Sequence, residues 1–180
     1  SGRNALTAKL TELGFKLTDE QTAVVFDAVK RLADKKKQIF DEDVEALVLE
    51  EIFRIPDKFA LKTLSVLAGN MGVPPTAAVI LLVDGEEQKL SGFGMGTVDA
   101  VFNTISELVG QKPKLLEYLV SAVTGGTDAQ GEVTVRIELG GHNAVGRGSD
   151  GDIIVASAKA YLNALNRLAK KEEKREWAVL

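Results

Sequence analysis

Two glycine-rich stretches carry the residue types best suited to binding chemistry. Gly146-Arg-Gly-Ser-Asp-Gly-Asp-Ile-Ile-Val-Ala-Ser157 reads as a strand end, a glycine-rich turn and the start of a helix. Gly92-Phe-Gly-Met-Gly-Thr-Val-Asp-Ala-Val101 echoes it. Glycine permits positive φ and close backbone approach, and Ser149, Asp150 or Asp152 can cap the first N–H groups of the helix. Two helix N-termini left open can hold a carboxylate between them.

Other chemistry has weaker support. Gly92-Phe-Gly-Met-Gly96 departs from the dinucleotide fingerprint, because its third glycine arrives one residue early and its neighbours read as hairpins rather than a parallel βαβ unit. Asp150 and Asp152 could act as a carboxylate pair, but so near a helix start capping is the simpler use. Asp128 reads as a turn residue or a ligand to an ammonium group. His142, the only histidine, lies in the hairpin Gly140-Gly-His-Asn143 and excludes a multi-histidine metal site within this chain. Tyr118, on a strand with Leu115, Leu119 and Ala122, can wall a small apolar pocket or pack in the core. Trp177 sits in a charged tail and is expected to dock on a neighbouring surface or another subunit. No catalytic residue or metal site emerges, and no cofactor is expected for this chain.

Composition sets bounds. The 180 residues can bury a sizeable core. A net charge of −4 argues against nucleic acid, and the Lys35-Lys36-Lys37 run suits a helix C-terminus. The absence of cysteine removes disulfides and thiolate chemistry. No apolar run approaches the ~18–20 residues of a membrane span, and no signal peptide is visible, so the expected location is cytoplasmic. The chain begins Ser-Gly-Arg, consistent with processing or truncation.

The elements that must position these residues follow from periodicity. Residues 1 to about 52 predict three short helices: Leu6, Leu10 and Leu13 ending at Gly14, then a capping box Thr18-Asp-Glu-Gln21 ahead of Val25, Ala28, Val29 and Leu32, then Val44, Leu47 and Val48 behind an Asp41 cap. Ile55-Pro56-Asp57 marks a boundary at 53–58. Strands are expected at Phe59 to Ala68, Ala77 to Val83 (covered on both faces) and Gln88 to Phe93, with a turn at Gly69-Asn70, before a helix at Val98 to Val109. The order then repeats: strands at Leu115 to Val123, Glu132 to Leu139 and Asn143 to Gly148, with Thr124-Gly125-Gly126 as a turn, and a helix from Ile153 to about Leu168. Lys170 to Glu176 reads as a charged helical extension or a frayed end.

The repeat holds in register. Leu61, Leu64 and Gly85 match Leu116, Leu119 and Gly140 at 55 residues; Gly92 and Gly94 match Gly146 and Gly148 at 54; Val98 and Ala100 match Ile154 and Ala156 at 56. The expected fold is α+β: N-terminal helices at 1–55, then a domain at 56–180 made of two pseudo-twofold βββα units, 58–110 and 113–169, with a charged tail at 170–180.

Three stretches resemble the C-terminal part of the 2-isopropylmalate synthase family: Thr124-Gly-Gly-Thr-Asp-Ala-Gln-Gly-Glu-Val-Thr-Val135, Gly146 to Asn166, and Gly94-Met-Gly-Thr-Val-Asp-Ala100. Ser1-Gly-Arg-Asn-Ala5 and Leu32-Ala-Asp-Lys-Lys36 are similar to that enzyme's helical linker. The resemblance implies a fragment, inactive alone, of an acyltransferase that condenses acetyl-CoA with 2-oxoisovalerate in leucine biosynthesis. The catalytic (β/α)₈ barrel and its divalent metal would lie outside the chain. It further implies a homodimer and a leucine feedback site formed by Gly94, Met95, Gly96, Val98, Asp99, Leu115, Tyr118, Ala122, Ala129, Gly131, Gly151 and Ile153. Family members commonly have Gly-Asn-Gly-Pro where this chain has Gly94-Met-Gly-Thr97, and threonine where it has Gly151. The nearest alternative is the isoleucine-sensing domain of the related citramalate synthase; a purely structural dimerisation domain is another.

Overall fold

The computed structural model describes residues 2–35, 38–69, 72–122, 126–127 and 129–179, apart from the side chains at 122 and 175–179. Lys36-Lys37, Asn70, Thr124-Gly125, Asp128, the side chain of Ala122 and that of Trp177 therefore lie outside the description. The chain forms two compact units, Ser1–Pro56 with Lys170–Leu180, and Asp57–Ala169.

The first unit holds α1 (Gly2–Glu12), α2 (Asp19–Lys35) and α3 (Asp41–Glu51). Leu6, Leu10, Phe15, Val25, Val44 and Val48 form its core, each helix contributing one apolar stripe. Gly14 adopts φ 88°, and Phe15 N–H donates to Leu10 O at 2.9 Å, ending α1 with a left-handed cap. The Thr18–Gln21 capping box is reciprocal: Gln21 N–H donates to Thr18 Oγ1 at 3.1 Å, and Thr18 N–H to Gln21 Oε1 at 3.0 Å. Asp41 does not cap α3. It is the first helical residue and its carboxylate faces Lys9, while Asp43 accepts from Phe40 N–H at 2.9 Å.

The tail Lys170–Leu180 belongs with this unit rather than with the segment 56–180 in which the sequence places it. It neither frays nor stands free among the described residues: Lys171 pairs with Glu45 at 3.3 Å, and Lys174 Nζ sits 3.6 Å from the Phe15 ring centroid. Burial pushes the Lys174 pKa down, with Glu45 acting the other way.

The second unit holds β1 (Phe59–Leu67), β2 (Thr76–Val83), β3 (Glu86–Phe93), α4 (Thr97–Val109), β4 (Lys114–Ala122), β5 (Gly131–Leu139), β6 (His142–Asp150) and the start of α5 (Ile153–Val179). Each set of three strands is an antiparallel sheet in chain order. Both β1 and β4 carry a bulge at the same point, at Lys62 between Leu61 and Thr63 and at Leu116 between Leu115 and Glu117. Two-residue turns with positive φ, Asp84-Gly85 and Gly140-Gly141, close the second hairpin of each sheet.

Pairing corrects the repeat. The bulges lie 54 residues apart, whereas Asp84-Gly85 and Gly140-Gly141, like the helix starts Thr97 and Ile153, lie 56 apart. The paired core positions Ala77–Gly92 and Val133–Gly148 share that offset of 56, so Gly148 rather than Gly146 is the counterpart of Gly92.

Val133, Val135 and Ile137 all turn inward, as their alternation requires. Strand β2 departs from expectation. Ala77, Val79 and Leu81 are buried but Ala78 is exposed, because the sheet is covered on one face only. Phe102 of α4 stacks on Tyr161 of α5 with centroids 4.3 Å apart, joining the two halves in one core.

Candidate functional site

The glycines act by close packing rather than by turning the chain. None of Gly92, Gly94, Gly146 and Gly148 has positive φ, and Gly146 and Gly148 lie inside β6 rather than in a turn. A Cβ at Gly146 would fall on the Ala160 carbonyl oxygen and the Ala164 nitrogen; one at Gly148 would meet Ala156 O at 2.5 Å and Ala160 N at 2.6 Å. Gly92 and Gly94 stand the same way against Thr104 and Ala100 of α4. Each helix is thereby seated directly on the last strand of its sheet.

The two helix starts differ. Asp152 Oδ1 accepts from Ile154 N–H at 2.7 Å and caps α5. Asp150 Oδ1 accepts from Asp152 N–H and its Oδ2 binds Lys159 Nζ, both at 2.9 Å. The Asp152 N–H first, then Lys159, holds the Asp150 carboxyl below its usual pKa range. The acid pair is thus committed to the fold. Asp152→Ala is expected to cost about 1 kcal/mol and Asp152→Asn much less, checked by the denaturation midpoint.

Helix α4 begins at Gly96, which offers no side-chain cap. Asp99 folds back to accept from Met95 N–H at 2.7 Å, and the Met95 side chain is 95% exposed. Asn103 Nδ2 approaches Phe93 O at 3.3 Å and Asp99 Oδ2 at 3.4 Å.

The predicted residues fall into two groups. Gly94, Met95 and Gly96 form the β3–α4 turn, with Val98 and Asp99 in the first turn of α4. Ala122, Gly131, Gly151 and Ile153 gather at one end of the second sheet, where Gly131 pairs with both Ala122 and Asp150. A Cβ at Gly131 would fall on Ile153 Cδ1, and one at Gly151 would lie 3.9 Å from Ala129 O. Val98, Tyr118 and Ile153 pack half-buried against the core, while Leu115 is exposed. His142 is half-buried on β6 rather than at an exposed loop tip.

Tyr118 is held in place by residues the sequence did not single out. Its hydroxyl lies 2.7 Å from Ser157 Oγ, which donates to Ile153 O at 2.7 Å, and Phe102 meets its ring edge-on at 6.0 Å. A second hydroxyl pair, Ser106 Oγ and Tyr161 OH, is buried at 2.6 Å. Burial pushes the Tyr161 pKa up, partly offset by that bond. A cleft of about 280 Å³ opens beside this pair. Asp99, Phe102, Asn103, Ser106, Leu115 and Tyr161 are among its lining, so Asp99 and Leu115 are the predicted residues that reach it. The signal available in sequence was polar Ser106 and Ser157, each one helical turn after an inward-facing residue, Phe102 and Ile153.

Among the described residues, no three His, Asp or Glu side chains gather as metal ligands. No described helix is long and apolar enough to cross a membrane.

Residues 38–169 match the family described as LeuA allosteric (dimerisation) domain. The chain is 63% identical to the 2-isopropylmalate synthase of Nitratidesulfovibrio vulgaris, over 98% of this chain and 34% of that protein. It is 57% identical to the enzyme of that name from Solidesulfovibrio magneticus (97% and 34%) and 47% identical to that from Aquifex aeolicus (96% and 34%). The chain thus spans about a third of the length of the curated relatives it matches.

Proposed function

This chain belongs to the LeuA allosteric (dimerisation) domain family, and from that membership we propose that it is the regulatory and dimerisation portion of a 2-isopropylmalate synthase. The parent would be the acyltransferase joining acetyl-CoA to 2-oxoisovalerate in the cytoplasm. Its barrel and divalent metal would be supplied outside these 180 residues, and no chemical step is assigned to them. Leucine is the proposed effector, bound by a homodimer.

The observation that carries the effector reading is the start of α4. Gly96 leaves the first N–H groups of the helix without a side-chain cap, and a carboxylate stands three residues on at Asp99. An α-amino acid fits that pair: its carboxylate on the helix N-terminus, its ammonium at Asp99. Val98, Leu115, Tyr118 and Ile153 supply apolar surface for a branched side chain, whose burial is worth roughly 1.5–3 kcal/mol. Gly151 has room beside it, with Gly94, Met95, Gly96, Ala122, Ala129 and Gly131 completing the proposed set.

Calorimetry with leucine, isoleucine and valine tests this. Leucine is expected to bind tightest, with Asp99→Asn weakening it at least tenfold. Tighter binding of isoleucine would favour the citramalate synthase branch. Binding of none of the three by the dimer would leave a structural dimerisation domain, the reading favoured by the Asp99 carboxylate already resting on Met95 N–H.

A further inference from the structure

The internal repeat allows the hydroxyl pair Tyr118–Ser157 to be compared with its own counterpart. Counted from the bulges at Lys62 and Leu116, the residue of β1 equivalent to Tyr118 is Leu64; they pair with Val135 and Val79. Counted from the helix starts Thr97 and Ile153, the residue of α4 equivalent to Ser157 is Val101. Ser157 and Val101 are both 0% exposed. The first half thus places two apolar residues where the second places two hydroxyls. A buried hydroxyl pair adds little over apolar groups of the same shape, so the shared architecture gives no reason for this one.

The direction of its protons is fixed. Ser157 Oγ lies 2.7 Å from the Ile153 carbonyl oxygen, which can only accept, so the single serine proton points there. The 2.7 Å bond between the hydroxyls therefore takes its proton from Tyr118. The phenolic oxygen keeps its lone pairs, and no other described residue donates to it. Donating into a chain of hydrogen bonds makes that oxygen a better acceptor. Phe102, edge-on to the ring at 6.0 Å, packs against it.

We propose that Tyr118 accepts a hydrogen bond from the ammonium group of the amino-acid effector, and that Ser157 is the positioning residue that sets this polarity. This rests on the leucine site proposed above and adds a neutral acceptor to the Asp99 carboxylate there. Ser157 itself touches no effector. It ties Tyr118 of β4 to Ile153 at the start of α5, both members of the proposed set. A ligand of the same shape without the amine gains nothing from the arrangement, so the pair selects amino acids over the corresponding carboxylic acids.

Calorimetry with two partial ligands tests this: leucinamide keeps the amine of leucine, and isocaproate keeps only its carboxylate. Tyr118→Phe and Ser157→Ala should each weaken leucine and leucinamide about tenfold and leave isocaproate unchanged. The double variant should be no worse than either alone, because both changes remove one arrangement. Tyr118→Phe carries the test if Ser157→Ala does not fold. Undiminished leucine affinity in either folded variant, or an equal loss for both partial ligands, overturns the relay and leaves the leucine reading standing. Failure of the unmodified chain to bind leucine overturns both.

Discussion

Asn166→Leu is expected to destabilise the sheet-bearing unit by about 3–5 kcal/mol, the largest effect of any single polar substitution in it. The carboxamide of Asn166 is 3% exposed on α5 and makes three bonds to the start of β1. Its Oδ1 accepts from Phe59 N–H at 2.8 Å and from Lys58 N–H at 2.9 Å, and its Nδ2 donates to Phe59 O at 2.9 Å. The side chain stands in for the neighbouring strand that β1 lacks on this side. Replacing it with leucine keeps the volume and strands three main-chain groups, each worth about 1–3 kcal/mol when buried without a partner. Chemical denaturation measures the loss, and hydrogen exchange at Lys58 and Phe59 locates it. A change under about 1 kcal/mol would mean that water replaces the carboxamide.

Gly146→Ala should be nearly as damaging, at about 3 kcal/mol. The added methyl meets main-chain atoms of α5, the Ala160 carbonyl and the Ala164 nitrogen, which cannot rotate away. The helix must lift off β6, opening the packing of Ala160 and Ala164 and shifting the Ser157–Tyr118 contact. Gly96→Ala is the control. It lies in extended backbone at φ −147° with nothing within 4 Å of an added Cβ, and its stability should fall by no more than about 1 kcal/mol, the cost of putting alanine at a helix N-cap. Equal effects at the two positions, read from denaturation midpoints, would contradict the division between packing and turn glycines.

That division marks where sequence reading succeeds and where it stops. Alternation along Val133, Val135 and Ile137 gave the strand and its inward face, because period two has one burial solution. The repeat, the hairpin turns and the Thr18–Gln21 box were legible for the same reason: each is a local pattern with a local cause. The glycines of β6 were harder. A glycine that lets a helix approach a strand has the same letter as one that bends the chain, and the partner atoms lie 14 to 18 residues further on, at Ala160 and Ala164.

The end of α5 was likewise invisible to periodicity. Lys170 to Glu176 shows no apolar stripe, and what anchors it is Glu45 and Phe15, more than a hundred residues away. At the candidate site, the family resemblance supplied residues at the helix starts and the end of the second sheet. The hydroxyl pairs Tyr118–Ser157 and Ser106–Tyr161 escaped because each joins separate elements, 39 and 55 residues apart.

The strand order has a kinetic consequence. Every ladder in both sheets joins strands adjacent in the chain, so each meander closes only short loops and can zip early. The contacts that α5 makes with the first half are remote, such as Asn166 to Phe59 at 107 residues, and form only when α5 docks. Interactions made after the rate-limiting barrier leave folding speed untouched and govern escape from the native state. Asn166→Leu should therefore fold at nearly the native rate and unfold faster. The carboxamide acts as a latch, setting how long the unit stays folded rather than how quickly it gets there.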